Sequence, residues 1–468
     1  MTKRLFIIGF LLLGAYVSYV LSLKGLLPHQ GAFQRVFFIT FALYACAVWL
    51  LLQRPSPSTT RQIILIFIFG IAFRAVLVFS QPILSSDMYR YIWDGRVQAN
   101  GINPYLYPPS APEVAPLRDQ AIWPSINRKD AVTVYPAGAE LAFAILWRIW
   151  PDNVHWFQTV MAAGDLLAGA LLVTLLRALG QNPIMVLIYL WSPLVIIEMA
   201  QSSHVDGLVL PLLVGAWLAR AKGRDGLTGV LVGAATAMKL YPILLLPILW
   251  RAHDAGGKFR PALSTPLGFI AGFLIPYFPY LSAGPGVIGY LPTYLREQFN
   301  PGLAFFIGLL AQKVGGDAGR INLILLFATL VVIYLVFFYL RRPADSMSAI
   351  RRCIWPIGAF TLLTQNLFPW YMLWLVPLLA IFLPASTSSL QASLDGFPVN
   401  SWMGWWLFCC MISISYPFFI PSGLPILRVL ASLIQFMPLY VFLIYDFYRW
   451  LWKRRHLQPH LISNRSPS

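Results

Sequence analysis

The stretch QIILIFIFGIAFRAVLVFS, residues 62–80, is an apolar run, long enough as a helix to cross the ~30 Å hydrocarbon core of a bilayer. Runs of the same kind recur from 5–22 through 424–447. Over 468 residues, 58% are hydrophobic and 11% charged. That leaves too little polar surface to coat a water-soluble globule, so lipid must be the solvent. The expected fold is all-α, a polytopic transmembrane helical bundle of about 11 to 14 spans. Central runs carry Pro, Gly and ionisable residues, and half-helices or re-entrant segments are expected among them.

The formal charge of +17 comes from 34 Lys and Arg against 17 Asp and Glu. The basic residues sit in short clusters between apolar runs, which is the pattern of membrane orientation and not of nucleic-acid binding. Lys3-Arg4, Arg54 with Arg61, Arg341-Arg342 with Arg351-Arg352, and Lys453-Arg454-Arg455 mark the cytoplasmic side. Both termini are expected there, with the first run retained as a span. Residues 1–447 are expected to form one transmembrane domain, followed by a basic cytoplasmic tail, 448–468. Three spans precede Gln81, so the polar segment 81–133 falls on the outer face. Cys46, Cys353, Cys409 and Cys410 lie inside apolar stretches without zinc-site or disulfide spacing, and read as packing residues. Walker, Rossmann and HExxH patterns are absent.

The outer segment opens with Ser85-Ser86-Asp87-Met88-Tyr89-Arg90-Tyr91-Ile92-Trp93-Asp94-Gly95-Arg96. Ser86 is a cap for a short amphipathic helix starting at Asp87, whose carboxylate favours the positive end of the dipole, and Gly101 with Pro104 gives the stop. Asp87, Arg90 or Tyr91, Asp94 and Gln98 then share one face, with Met88 and Ile92 on another. One reading is an interfacial helix whose acids and arginines pair locally. Charges inside later apolar runs argue for more. His204 and Asp206 join two runs, and Lys239 lies in Ala237-Met238-Lys239-Leu240-Tyr241-Pro242. Such charges cost about 2.5–3.5 kcal/mol on insertion scales and face a cavity or a partner. Glu140, Asp165 and Glu198 are further buried acids, read as structural. Thr364 to Trp374 breaks another run with Trp370 and Tyr371, either a belt turn or a platform for an isoprenoid or sugar ring.

Taken together, Ser86 to Gly95, Gly101-Ile102-Asn103-Pro104-Tyr105, Val134-Tyr135-Pro136, Ser192-Pro193 through His204-Val205-Asp206, Lys239-Leu240-Tyr241-Pro242 and Pro369-Trp370-Tyr371 resemble polyprenyl-phosphate-dependent glycosyltransferases of the GT-C fold. The mannopyranosyltransferase-like members are the nearest in look. The resemblance implies transfer of a hexose, with mannose favoured, from a polyprenyl-phosphate donor to a glycan or lipid acceptor. It implies inversion, and an active site on the outer face of a bacterial inner membrane. Asp87 matches the loop acid that would serve as general base on the acceptor hydroxyl. Arg90, Arg96 and above all Lys239 are the cations for the departing phosphate. Asp94 and the His204/Asp206 pair have two roles open, orienting sugar hydroxyls or binding a divalent ion, and no metal or other cofactor is required. Trp370 and Tyr371 complete the substrate-binding set. The loop from Ser282 to Asn300, with Arg296 and Glu297, is expected over the site. Membrane lipids are the other partners, and nucleic acid is not among them.

The rival expectation is a transporter or flippase of lipid-linked saccharide, which would also bury charges in broken helices. Against it, the densest polar cluster lies in an extramembrane loop and no repeat is visible.

Overall fold

The computed structural model describes residues 1–23, 29–53, 57–251, 261–294, 297, 303–335, 345–364, 366–384, 401–418 and 425–457. All regular structure among them is helical. Arg54, Arg296, Arg341-Arg342, Gln365 and the tail from 458 lie outside the described residues. The helix Pro425–Leu457 runs through 447 and 448, so the first part of the expected tail continues a helix.

Three helices of spanning length precede the polar segment. They are α1 (Thr2–Ser22), α2 (His29–Gln53) and α3 (Thr60–Val78). A capping box starts α3, in which Thr59 accepts the Gln62 N–H and the Gln62 side chain returns to the Thr59 N–H, satisfying orphan donors of the first turn. The helix α4 (Asp87–Ala99) opens the polar segment, and α5 (Ala137–Ile149) and α6 (Val154–Ala178) follow it.

The first turn of α4 departs from expectation, because Ser86 makes no side-chain cap bond and the Ser85 Oγ accepts the Asp87 N–H at 3.2 Å. Gly101, at φ 77°, ends the turn that follows the helix, a conformation open to glycine at no steric cost. Nor is the polar side of α4 solvated, since Arg90, Asp94 and Arg96 are buried. Met88, Tyr91, Ile92, Trp93 and Val97 are buried in one cluster with Phe143, Phe157 and Met161, so apolar burial fixes the helix between its neighbours. Gly95 permits the contact with α5, since a Cβ there would stand 2.6 Å from the Phe143 carbonyl oxygen.

Past α6 the chain becomes irregular, as its Pro and Gly content implies. Pro183–Leu190 and Pro193–Gln201 form a pair bent by 58°, and the second half ends in a π turn, Ile197–Gln201. Then come α7 (Asp206–Ala221), α8 (Asp225–Met238) and α9 (Ser264–Leu274). Gly229 and Gly233 of α8 pack on the Thr265 and Phe269 carbonyls of α9, and Gly268 and Gly272 of α9 on those of Gly226 and Val230 of α8, so a Cβ on any of them would collide with the opposing backbone. Reciprocal small-xxx-small pairs of this kind let two helices approach closely where lipid offers no hydrophobic drive.

Among the described residues six helices are long and apolar enough to cross a membrane, or seven with the bent pair, where 11 to 14 spans are expected over the whole chain. At 16 and 14 residues, α7 and α8 reach only ~24 Å and ~21 Å. They stop where Asp206 and Lys239 stand, because polar side chains end the apolar runs.

Candidate active site

Asp87 occupies the first turn of α4 with its side chain 17% exposed. The Asn127 Nδ2 donates to its Oδ1 at 2.6 Å, and the His204 Nδ1 stands 3.7 Å from its Oδ2. The other ring nitrogen of His204 lies 3.3 Å from the Glu198 carboxylate, which in turn accepts the Tyr416 hydroxyl. This chain exists because of local backbone. The π turn brings the His204 N–H onto the Glu198 carbonyl at 3.2 Å, and Ser203 adopts φ 58° between them. A non-glycine residue there costs about 1 kcal/mol or more, and π turns gather at functional sites.

Lys239 extends beyond the end of α8 and donates from Nζ to the Asp206 Oδ2 at 2.6 Å. The other Asp206 oxygen accepts the Trp374 indole N–H at 2.7 Å. The ammonium also lies 5.1 Å from the Tyr371 ring and 5.4 Å from the Trp374 ring, within cation–π range. Tyr91 connects the two groups, taking the Val205 N–H at 3.4 Å and feeling the charge of both Asp87 and Asp206. Asp87, His204, Asp206, Lys239, Trp370 and Tyr371 are thus brought to one place.

The aromatic residues act differently from expectation. Two rings stack on Trp370, His204 at 4.0 Å and 23° and Phe368 at 4.4 Å and 10°. At those separations they must take opposite faces, so neither face is open to a sugar and the indole braces His204 instead. Trp374 is likewise held between Tyr241 and Tyr371.

Arg90 and Asp94 form a separate network. The Arg90 Nε reaches both Asp94 oxygens at 2.8 and 2.9 Å, and its Nη1 donates to the Arg128 and Ala131 carbonyls. Burial raises the Asp94 carboxyl, with the Arg90 charge opposing it. Arg96 stands apart, ~13 Å along α4 from Asp87. It is committed to Asp119, Asp152 and the Leu117 carbonyl. Burial works to raise the Asp119 carboxyl, but the Arg96 bond and the Trp123 and Ile122 N–H groups outweigh it and draw it down to about 2. Arg96 is taken up by these partners through all three of its nitrogens, whereas the buried Arg90 Nη2 has no hydrogen-bond partner among the described residues.

Four residues of the site were not legible as such. Glu198 reads as structural in sequence, since nothing local shows that a π turn will aim it at His204. Asn127 sits in a plain polar loop, and Tyr416 lies far along the chain. Arg128, next to Asn127, grips Glu297 through Nε and Nη2 at 3.1 and 2.5 Å. That bond joins the outer segment to the part of the chain expected to cover the site, and the hydroxyl contact of Tyr294 with Tyr371 joins the same part to the turn Pro369–Trp374. Among the described residues no group of three or more His, Cys, Asp or Glu is placed to hold a metal ion.

The fold and this site define a multi-pass integral membrane protein with a buried acidic and aromatic centre between its broken helices. Residues 9–253 match the family described as "Alpha-(1->6)-mannopyranosyltransferase, N-terminal domain", and the chain belongs to that family. It is 24% identical over 336 residues to "Alpha-(1->6)-mannopyranosyltransferase A" of Mycobacterium tuberculosis, covering 64% of this chain and 62% of that protein. It is 30% identical over 128 residues to "GPI mannosyltransferase 1" of Gibberella zeae, covering 25% of this chain and 30% of that one. The chain therefore spans less than two thirds of the length of either relative.

Proposed function

We propose that this protein is a mannosyltransferase that moves mannose from a polyprenyl-phosphate donor to a hydroxyl of a glycan or lipid acceptor. The observation that carries the reading is Asp87. It is a partly exposed carboxylate, held by Asn127 and flanked by His204, in a chain whose named relatives are mannosyltransferases. In the reaction the acceptor oxygen forms a bond to the anomeric carbon as the bond from that carbon to the phosphate oxygen breaks. Asp87 takes the acceptor proton, and polyprenyl phosphate leaves with the electron pair. Back-side attack inverts the anomeric centre. Lys239, which stays bonded to Asp206 and lies against two aromatic rings, adds a positive field near the leaving phosphate without binding it directly. His204, with Glu198 behind it, orients Asp87, and Arg90 and Asp94 hold the loop that carries Asn127. The site faces the non-cytoplasmic side of a bacterial inner membrane, and residues 1–447 make up one catalytic domain.

The test is transfer from radiolabelled polyprenyl-phosphate mannose in membranes containing wild type or Asp87→Asn at matched protein level. A loss of ~10²–10⁴-fold in the variant is expected for a general base. Equal transfer in both would remove Asp87 from that role, and no transfer in either would count against the donor and favour transport of a lipid-linked saccharide.

A further inference from the structure

A phosphate-binding group must be cationic, reachable, and able to give up whatever it holds when the substrate is absent. Three cations near the site fail at least one of these conditions. Arg90, with a side chain 4% exposed, shares its Nε–H between both oxygens of Asp94 within its own helix. Arg96, 7% exposed, has two aspartates and a carbonyl. Lys239 is paired with an Asp206 that is fully buried and doubly held, and pulling the pair apart would strand a carboxylate in an apolar surround at high cost.

Arg128 meets them all. Its side chain and that of Glu297 are 26% and 23% exposed, so either can be released to solvent without stranding a buried charge. The partners are 169 residues apart in sequence, and their contact is a fork of two N–H groups on two carboxylate oxygens. Two oxygens of a phosphate reproduce that pattern, and guanidinium suits both anions. The backbone is held while the side chain is exchangeable. Arg128 sits at φ 44°, its carbonyl takes Arg90 Nη1, and its neighbour Asn127 holds Asp87. Tyr290 and Tyr294 flank the guanidinium at 5.9 and 5.7 Å. Burial works against the Arg128 charge, but the bond to Glu297 outweighs it and the Asp87 charge adds to it.

We propose that Arg128 is the residue that binds the phosphate of the lipid donor, and that Glu297 occupies its fork until the phosphate displaces it. This rests on the mannosyl-transfer reading for the donor class. The step is an exchange of one anion for another on the same guanidinium, with no covalent change. During transfer the phosphodiester becomes a phosphomonoester and gains charge, so the fork holds it more tightly as the bond breaks. The return of Glu297 then helps to expel the product.

The experiment measures equilibrium binding of farnesyl monophosphate, in detergent, to the purified full chain as wild type, Arg128→Gln, Arg128→Lys and Glu297→Gln, with thermal unfolding as a check on folding. Removing the fork should weaken binding by about tenfold or more, the loss of a charge-assisted hydrogen bond. The lysine variant should recover only part of it, having no fork. Glu297→Gln should bind more tightly than wild type and show stronger product inhibition. A purely structural ion pair would lower the unfolding temperature equally in both partners and leave phosphate affinity unmoved, which would overturn the proposal. So would Glu297→Gln binding more weakly. If wild type transfers mannose from polyprenyl-phosphate mannose while Arg128→Gln keeps its affinity and donor KM, the proposal fails and the mannosyl-transfer reading stands. If wild type transfers none yet binds farnesyl monophosphate through Arg128, the proposal stands and the donor sugar is wrong.

Discussion

Lys239 and Asp206 differ in what each leaves behind when its partner is removed. Asp206 is fully buried, whereas the Lys239 side chain is 19% exposed. Lys239→Met would leave a carboxylate with only the Trp374 N–H in an apolar surround, whereas Asp206→Asn leaves an amide that still accepts from Trp374 and an ammonium with an outlet to solvent. Breaking a buried pair by removing one partner costs about 3–5 kcal/mol. Lys239→Met should fall in that range and Asp206→Asn below it, with the double variant regaining much of the loss. Thermal unfolding of the four proteins in detergent measures this. A lysine variant no less stable than the asparagine variant would mean that Asp206 has another counter-charge. The same pair shows what residue types alone disclose. Lys239 and Asp206 stood out because charge within an apolar run is costly, yet their mutual bond could not be read, since they lie 33 positions apart.

At the level of elements, α4 and α5 set where Asp87 stands. Gly95 lies against the Phe143 carbonyl and the Trp147 Cβ, 2.6 and 2.8 Å from where its own Cβ would be. Gly95→Val should push the helices apart, lower the unfolding temperature by an amount consistent with 1–3 kcal/mol of overpacking (about that range in filled cores) and reduce transfer by ~100-fold, because catalysis is sensitive to a displacement of about 1 Å. A variant with normal rate would show that the base is positioned from the loop and not by the helix. The last turn of α4 is tied down by Arg96 and Asp119. The Asp119 carboxyl lies at about 2 in the folded protein, against ~3.9 unperturbed. A lowered folded value contributes stability above the unfolded value and loses it as pH falls through the folded one. The difference in unfolding temperature between wild type and Asp119→Asn should therefore be full above pH ~4 and vanish toward pH ~2. The aspartate is one-third exposed, so the effect is modest; a difference that grows on acidification would contradict the assignment. From sequence, this helix was legible in its limits at Asp87 and Gly101. Its burial was not, because Arg96 looks solvated until Asp119 and Asp152, which neutralise it, arrive from outside the helix.

For the molecule as a whole, α7 and α8 run as a hairpin from the site to the turn at Lys222–Arg224 and back, so one face of the protein carries Asp206 and Lys239 and the other carries that turn. Ser110 and Lys222 are both exposed. In a background free of the native cysteines, a membrane-impermeant maleimide applied from outside intact cells should label Ser110→Cys and spare Lys222→Cys until the membrane is opened. The reverse pattern would place the site on the cytoplasmic side. What the sequence alone determined is the solvent and the class of structure: a chain this apolar must live in lipid, and there each segment has to satisfy its own backbone hydrogen bonds, which makes it helical whatever its neighbours are. It also marked the charges too costly to be accidental. Tertiary structure decided which of them meet. Asp87 with Asn127 and His204, Glu198 with Tyr416, and Arg128 with Glu297 join parts of the chain far apart in number, and such pairings depend on how broken helices pack, a long-range property that local hydropathy and spacing do not contain.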